Sequence, residues 1–70
     1  MKPVMVYMTA ASLDQARSIA QELITHRLAA CVNVLDNMTS MYRWQGRVEE
    51  AREVVVLAKT RAELMPALVH

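Results

Sequence analysis

Two β-rich runs meet at Gln45-Gly46, and Gly46 is the only glycine in the chain. A two-residue link ending in glycine predicts a tight hairpin, because the favoured turns of that length need positive φ. Such a turn sets Trp44 opposite Arg47 and Tyr42 opposite Glu49. Thr39 to Trp44, rich in Thr, Tyr and Trp, reads as the incoming strand. Arg47 to Lys59 reads as the returning strand and has two unlike halves. Val54-Val55-Val56-Leu57-Ala58 is apolar on both faces, as in a covered strand. Val48 to Glu53 is charged on both faces, with Glu49, Glu50, Arg52 and Glu53. An arm of that kind cannot bury itself in its own subunit, so it extends beyond the domain body. Exposed strand edges invite pairing with a second chain.

The remaining segments place this hairpin in a larger order. Val4 to Met8 is a short apolar run that reads as a fully buried strand. Ser12-Leu13-Asp14-Gln15 has the form of a capping box, with Asp14 placed to suit the helix dipole. Ala16, Ile19, Ala20, Leu23, Ile24 and Leu28 recur at helical spacing and predict a helix from Leu13 to Leu28. His26 and Arg27 then fall in its last turn, where positive charge is favoured. Ala29 to Leu35 predicts a second strand, broken at Asp36-Asn37 before Thr39. Thr60 reads as the cap of a second helix beginning near Arg61, with Pro66 a kink or a later start. The order is β-α-β-β-α, which is a ferredoxin-like βαββαβ domain without its final strand. The expectation is one α+β domain over residues 1–70, with a long hairpin arm and an incomplete C-terminal side.

Composition excludes several classes. The chain has 70 residues and net charge +1, from eight basic and seven acidic side chains. That balance lacks the basic excess of a nucleic-acid binder. The longest apolar run, Val54 to Ala58, is far short of the roughly 20 residues a membrane span needs. One cysteine excludes an intrachain disulfide framework and a paired-cysteine zinc module. No targeting peptide is legible at Met1-Lys2-Pro3, so cytoplasm is the expected location. The apolar fraction, 54%, is high for so small a unit and predicts contact with other chains.

Three segments, in order, carry a family resemblance. Arg27-Leu28-Ala29-Ala30-Cys31-Val32-Asn33-Val34 resembles the "RLAACVNV" segment of CutA proteins, the divalent-cation tolerance family. Thr39 to Gly46 is similar to that family's "TSxYxWxG" hairpin. Glu49-Glu50 and the stretch from Val54 to Thr60, ending Ala58-Lys59-Thr60, resemble its "EE…EVxLxxKT" strand. The resemblance implies a ferredoxin-like subunit in a homotrimer whose hairpin arms pair between subunits, a closed symmetry open to any chain. It also implies binding of copper or another divalent cation and a role in metal tolerance. Family chains run about half as long again, into a "HPYEVPEI" strand and a terminal helix. His70 does not match that motif's histidine.

Candidate site residues follow. The Cys31 thiol is a soft donor suited to copper, and a free cysteine among small residues is equally suited to a core. Its apolar neighbours argue against a nucleophile. Met8, a soft thioether, matches a position where some family members have a cysteine. The six methionines, Met5, Met8, Met38 and Met41 among them, lack the clustering of a copper-carrier tract. His26 and His70 have no zinc spacing. Tyr42, Trp44, Glu49, Glu50, Glu53 and Lys59 are candidates for a cleft between subunits, with interface ion pairs as the plainer role. Trp44 also suits an interface anchor.

Two functions emerge. The first is a non-enzymatic trimer that binds divalent metal, copper above all, and contributes to metal tolerance. The second is a PII-like small-molecule sensor with its ligand in the intersubunit cleft, an analogy of fold. No titratable pair is spaced for acid–base catalysis, so an enzyme is not expected.

Overall fold

A computed structural model describes residues 2–64. The expectations for Pro66 and His70 lie outside the described residues. Strand β1 (Pro3–Ala10) leads to helix α1 (Leu13–Thr25), then strand β2 (Cys31–Trp44) and strand β3 (Arg47–Arg61). A single 3-10 turn, Ala62–Leu64, ends the described chain. The strands form one antiparallel sheet in the order β1-β3-β2. β3 is therefore central, and this explains its continuous apolar run: Val54, Val55, Val56 and Ala58 are all buried. The result is a small α+β fold with the βαββ order of a ferredoxin-like domain. No described helix is long and apolar enough to cross a membrane.

Cross-strand partners share a face of the sheet. On one face, Val4, Val6, Met8 and Ala10 of β1 align with Thr60, Ala58, Val56 and Val54 of β3. Val32 and Val34 of β2 continue the same rows. α1 covers this face: Ala16 packs with Ala10, Val54 and Val56, and Leu23 with Ala29 and Ala58. The opposite face carries Met5, Tyr7, Cys31, Asn33, Leu35, Leu57 and Lys59. No described element covers it, and Tyr7 is 61% exposed. β1 is thus an edge strand open on one side, where the sequence pattern predicts full burial.

The N-terminal end of α1 forms as its sequence dictates. The Ser12 side chain accepts from the Gln15 amide at 3.1 Å. The Gln15 side chain reaches back to the Ala11 N–H at 2.8 Å. The C-terminal end comes three residues earlier than the periodicity predicts, because a Schellman cap closes it. Arg27 N–H donates to the Ile24 carbonyl, Leu28 N–H donates to the Leu23 carbonyl, and Arg27 takes φ 57°. Leu28 then packs on Leu23, the apolar contact that accompanies this cap. Glycine is the usual residue at such a position, so arginine there hides the stop.

Two further expectations change. Asp36-Asn37 is not a break between strands but a bulge within β2, where the register slips between Leu35 and Met38. Asn37 takes φ 63°, which asparagine tolerates. Thr60 caps no helix: β3 runs on to Arg61, and the Thr60 hydroxyl donates to the Leu28 carbonyl. The hairpin turn is as predicted. Gln45 and Gly46 both have positive φ, 50° and 77°, and Trp44 pairs with Arg47 and Tyr42 with Glu49. Beyond Val54 the hairpin leaves the cover of α1; Val48, Glu50 and Arg52 are exposed on the face that α1 covers elsewhere. The described chain is accordingly elongated, 43 × 23 × 18 Å.

Candidate functional site

The uncovered sheet face and the arm hold most of the predicted site residues. The bulge decides which. Before it, odd-numbered residues of β2 lie on the uncovered face, with Cys31 opposite Lys59 and Leu35 opposite Val55. After it, even-numbered residues do, with Met38 opposite Glu53 and Tyr42 opposite Glu49. One extra residue flips the parity of everything that follows. Tyr42, Trp44, Glu49 and Glu53 therefore share the face that carries Cys31. Glu50, opposite Met41, points to the other face and leaves the group.

Lys59 lies on the correct face but at the wrong end. It is ten residues from Glu49 along β3, about 33 Å at strand rise. Within one chain it cannot share a cleft with Tyr42 and Glu49. Its neighbours are Met5 on one side and Cys31 on the other.

Cys31 is exposed in the single described chain. Its on-face neighbours are Lys59 across the strand pair and Asn33 two residues on, with Met5 one strand further, on a side that nothing in the described chain covers. Its thiol donates to the Asn33 Oδ1 at 3.5 Å. Asn33 was not singled out from sequence, although two-residue spacing on a strand puts it on the same face. Met8 does not join Cys31. It faces α1 and packs into the core, on the opposite side of the sheet from Cys31 and separated from it by β3. The thioether that does share the Cys31 row is Met5, two strands away, roughly 10 Å. No cluster of three or more His, Cys, Asp or Glu able to hold a metal exists among the described residues. A single described chain thus does not supply a complete metal site.

His26 is exposed at the end of α1 and contacts the Glu22 carboxylate at 3.0 Å, a local pairing one helical turn apart.

The uncovered face also exposes large apolar side chains. Met5, Tyr7 and Leu35 stand open on it, and Trp44 at the arm tip is 61% exposed.

Comparison with known proteins agrees with this fold. Residues 4–70 match the family model described as CutA1 divalent ion tolerance protein. The divalent-cation tolerance protein CutA of Thermus thermophilus is 48% identical over 63 residues, covering 90% of this chain and 61% of that protein. The solved structure of the Thermus thermophilus protein superposes with a TM-score of 0.86 at 45% identity, over 99% of this chain and 66% of that one. A structure described as the periplasmic divalent cation tolerance protein CutA from Archaeoglobus fulgidus superposes with a TM-score of 0.87 at 37% identity, over 96% of this chain and 65% of that one. The chain spans about three-fifths of the length of the Thermus relative. With the matched model covering nearly every residue and the βαββ order in register, the chain belongs to the CutA1 divalent ion tolerance family.

Proposed function

We propose that the chain acts as a non-enzymatic homotrimer that binds divalent metal, copper above all, and contributes to metal-ion tolerance. The observation that carries this is the exposed Cys31 thiol on the open sheet face, beside Asn33 and Lys59. A lone thiol with one amide neighbour is an incomplete site, so the remaining donors come from other copies. Assembly through the uncovered face and the hairpin arms supplies them. A reducing compartment such as the cytoplasm suits this reading, because it keeps a lone exposed thiol available.

The test is copper titration by calorimetry, with native mass measured on the same sample. Removing a thiolate ligand costs at least the roughly tenfold or more that loss of a supporting contact costs, so Cys31→Ser is expected to weaken binding by that much. Unchanged affinity removes Cys31 from the site. A native mass of one chain removes the trimer.

A second reading, a PII-like small-molecule sensor, is favoured by the bulge. It gathers Tyr42, Trp44, Glu49 and Glu53 on one face of the arm, an aromatic wall with acidic groups beside it. Nucleotides that bind the folded state raise its thermal midpoint by mass action. No shift with any of them counts against this reading.

A further inference from the structure

A pair of metal-ligating side chains lies on α1, across the sheet from Cys31. The His26 Nε2 and the Glu22 Oε2 stand 3.0 Å apart over the last turn of the helix. No donor follows His26 four residues on, which hides the pair from a forward reading of the sequence; the donor precedes it. We propose that Glu22 and His26 form a two-ligand chelate for zinc or a similar borderline divalent cation, with water in the remaining coordination positions.

The backbone holds both ligands in place. His26 is the C-cap of α1, and its N–H donates to the Glu22 carbonyl at 3.0 Å. The Schellman cap closes the same turn from beyond, through Arg27 and Leu28. Residues four apart on a helix share a face, and this is the spacing at which two zinc ligands on one helix converge. The separation fits one ion. Two donors bound about 2.0–2.1 Å from zinc lie roughly 3.3 Å apart at the tetrahedral angle and roughly 2.9 Å apart at a right angle. Both side chains are open to solvent, 62% and 70% exposed, so water reaches the other positions. The negative end of the helix dipole favours a cation there. The donor types select the ion. An imidazole with a carboxylate suits zinc and its transition-metal neighbours, whereas magnesium takes oxygen donors. To bind, the imidazole presents a bare Nε2 and carries its single proton on Nδ1.

This site does not rest on the Cys31 reading, because α1 packs on one face of the sheet and Cys31 lies on the other. The test is a zinc chloride titration of the full 70-residue chain carrying Cys31→Ser, which removes the thiol, followed by histidine ring and backbone amide resonances. Zinc is expected to shift the His26 ring and the amides from Glu22 to Arg27 saturably, and magnesium to leave the ring unmoved. Glu22→Gln is expected to weaken zinc binding at His26 roughly tenfold or more, since loss of even a supporting contact to a metal ligand costs that much. In His26→Gln the shifts around the last turn of α1 are expected to disappear. Both positions are exposed, so the variants keep the fold. The proposal is overturned if the His26 ring shows no saturable shift at millimolar zinc, or if magnesium moves it as zinc does. It is equally overturned if Glu22→Gln leaves the affinity unchanged, which reduces the site to one imidazole, or if the amide shifts around Glu22 persist in His26→Gln. None of these outcomes bears on Cys31, which the titrated chain lacks.

Discussion

Arg27 offers the sharpest test of the backbone reasoning. It sits at the αL position of the Schellman cap with φ 57°, where a Cβ meets the following carbonyl. For a residue with a side chain that conformation costs roughly 1–2 kcal/mol. Comparing Arg27→Gly with Arg27→Ala isolates this cost, because both remove the guanidinium and its interaction with the helix terminus. Glycine escapes the αL penalty but loses roughly 0.5–1 kcal/mol through its freer unfolded chain. The glycine variant is therefore expected to be the more stable of the two by about 0.5–1 kcal/mol. For a domain of this size that is a difference in thermal midpoint of roughly 3–6 °C. Both variants are melted by circular dichroism at one protein concentration, since assembly makes the midpoint concentration-dependent. An alanine variant as stable as the glycine variant, or more so, refutes the αL assignment and with it the reason that α1 stops at Thr25.

Two further outcomes follow from the core. Val56 is fully buried on the central strand between Met8 and Val34, so Val56→Ala is expected to cost about 2–3 kcal/mol in urea unfolding; a loss under about 1 kcal/mol would mean that the site collapses freely. Thr60→Val keeps the shape but leaves the Leu28 carbonyl without its side-chain donor, for about 1–3 kcal/mol, whereas Thr60→Ser retains the hydroxyl and most of the stability; a Val variant as stable as the parent, or a Ser variant that loses more than Val, would refute the role of this hydrogen bond.

The legible parts of this chain are those governed by neighbours in sequence. Ser12 and Gln15 cap α1 through contacts three and four residues long. Gln45-Gly46 dictates the pairing of Tyr42 and Trp44, because a two-residue turn allows one register. Misread residues answer to distant partners. Thr60 has the local form of a helix cap, yet its hydroxyl is taken by Leu28, 32 residues away, and β3 continues. Cys31 lies in a run of small apolar residues that resembles core, yet the run alternates: Ala29 and Val32 pack on the α1 side, and Cys31 is exposed on the other. Met8 and Cys31 are both soft donors on the two outer strands of one sheet, and no local pattern tells that they point to opposite sides.

From sequence alone came the element types, the hairpin, the long charged arm and, through three ordered segments, the family. These rest on hydrophobic period, capping chemistry and turn geometry, all short-range. The tertiary structure decided which face each strand residue occupies. That choice depends on where α1 docks and on a one-residue bulge at Asp36-Asn37, and a shift of one residue exchanges the two faces of a strand. It put Met8 and Glu50 on the face opposite Cys31, set Lys59 apart from the arm, and left Cys31 beside Asn33 and Lys59 on the open face.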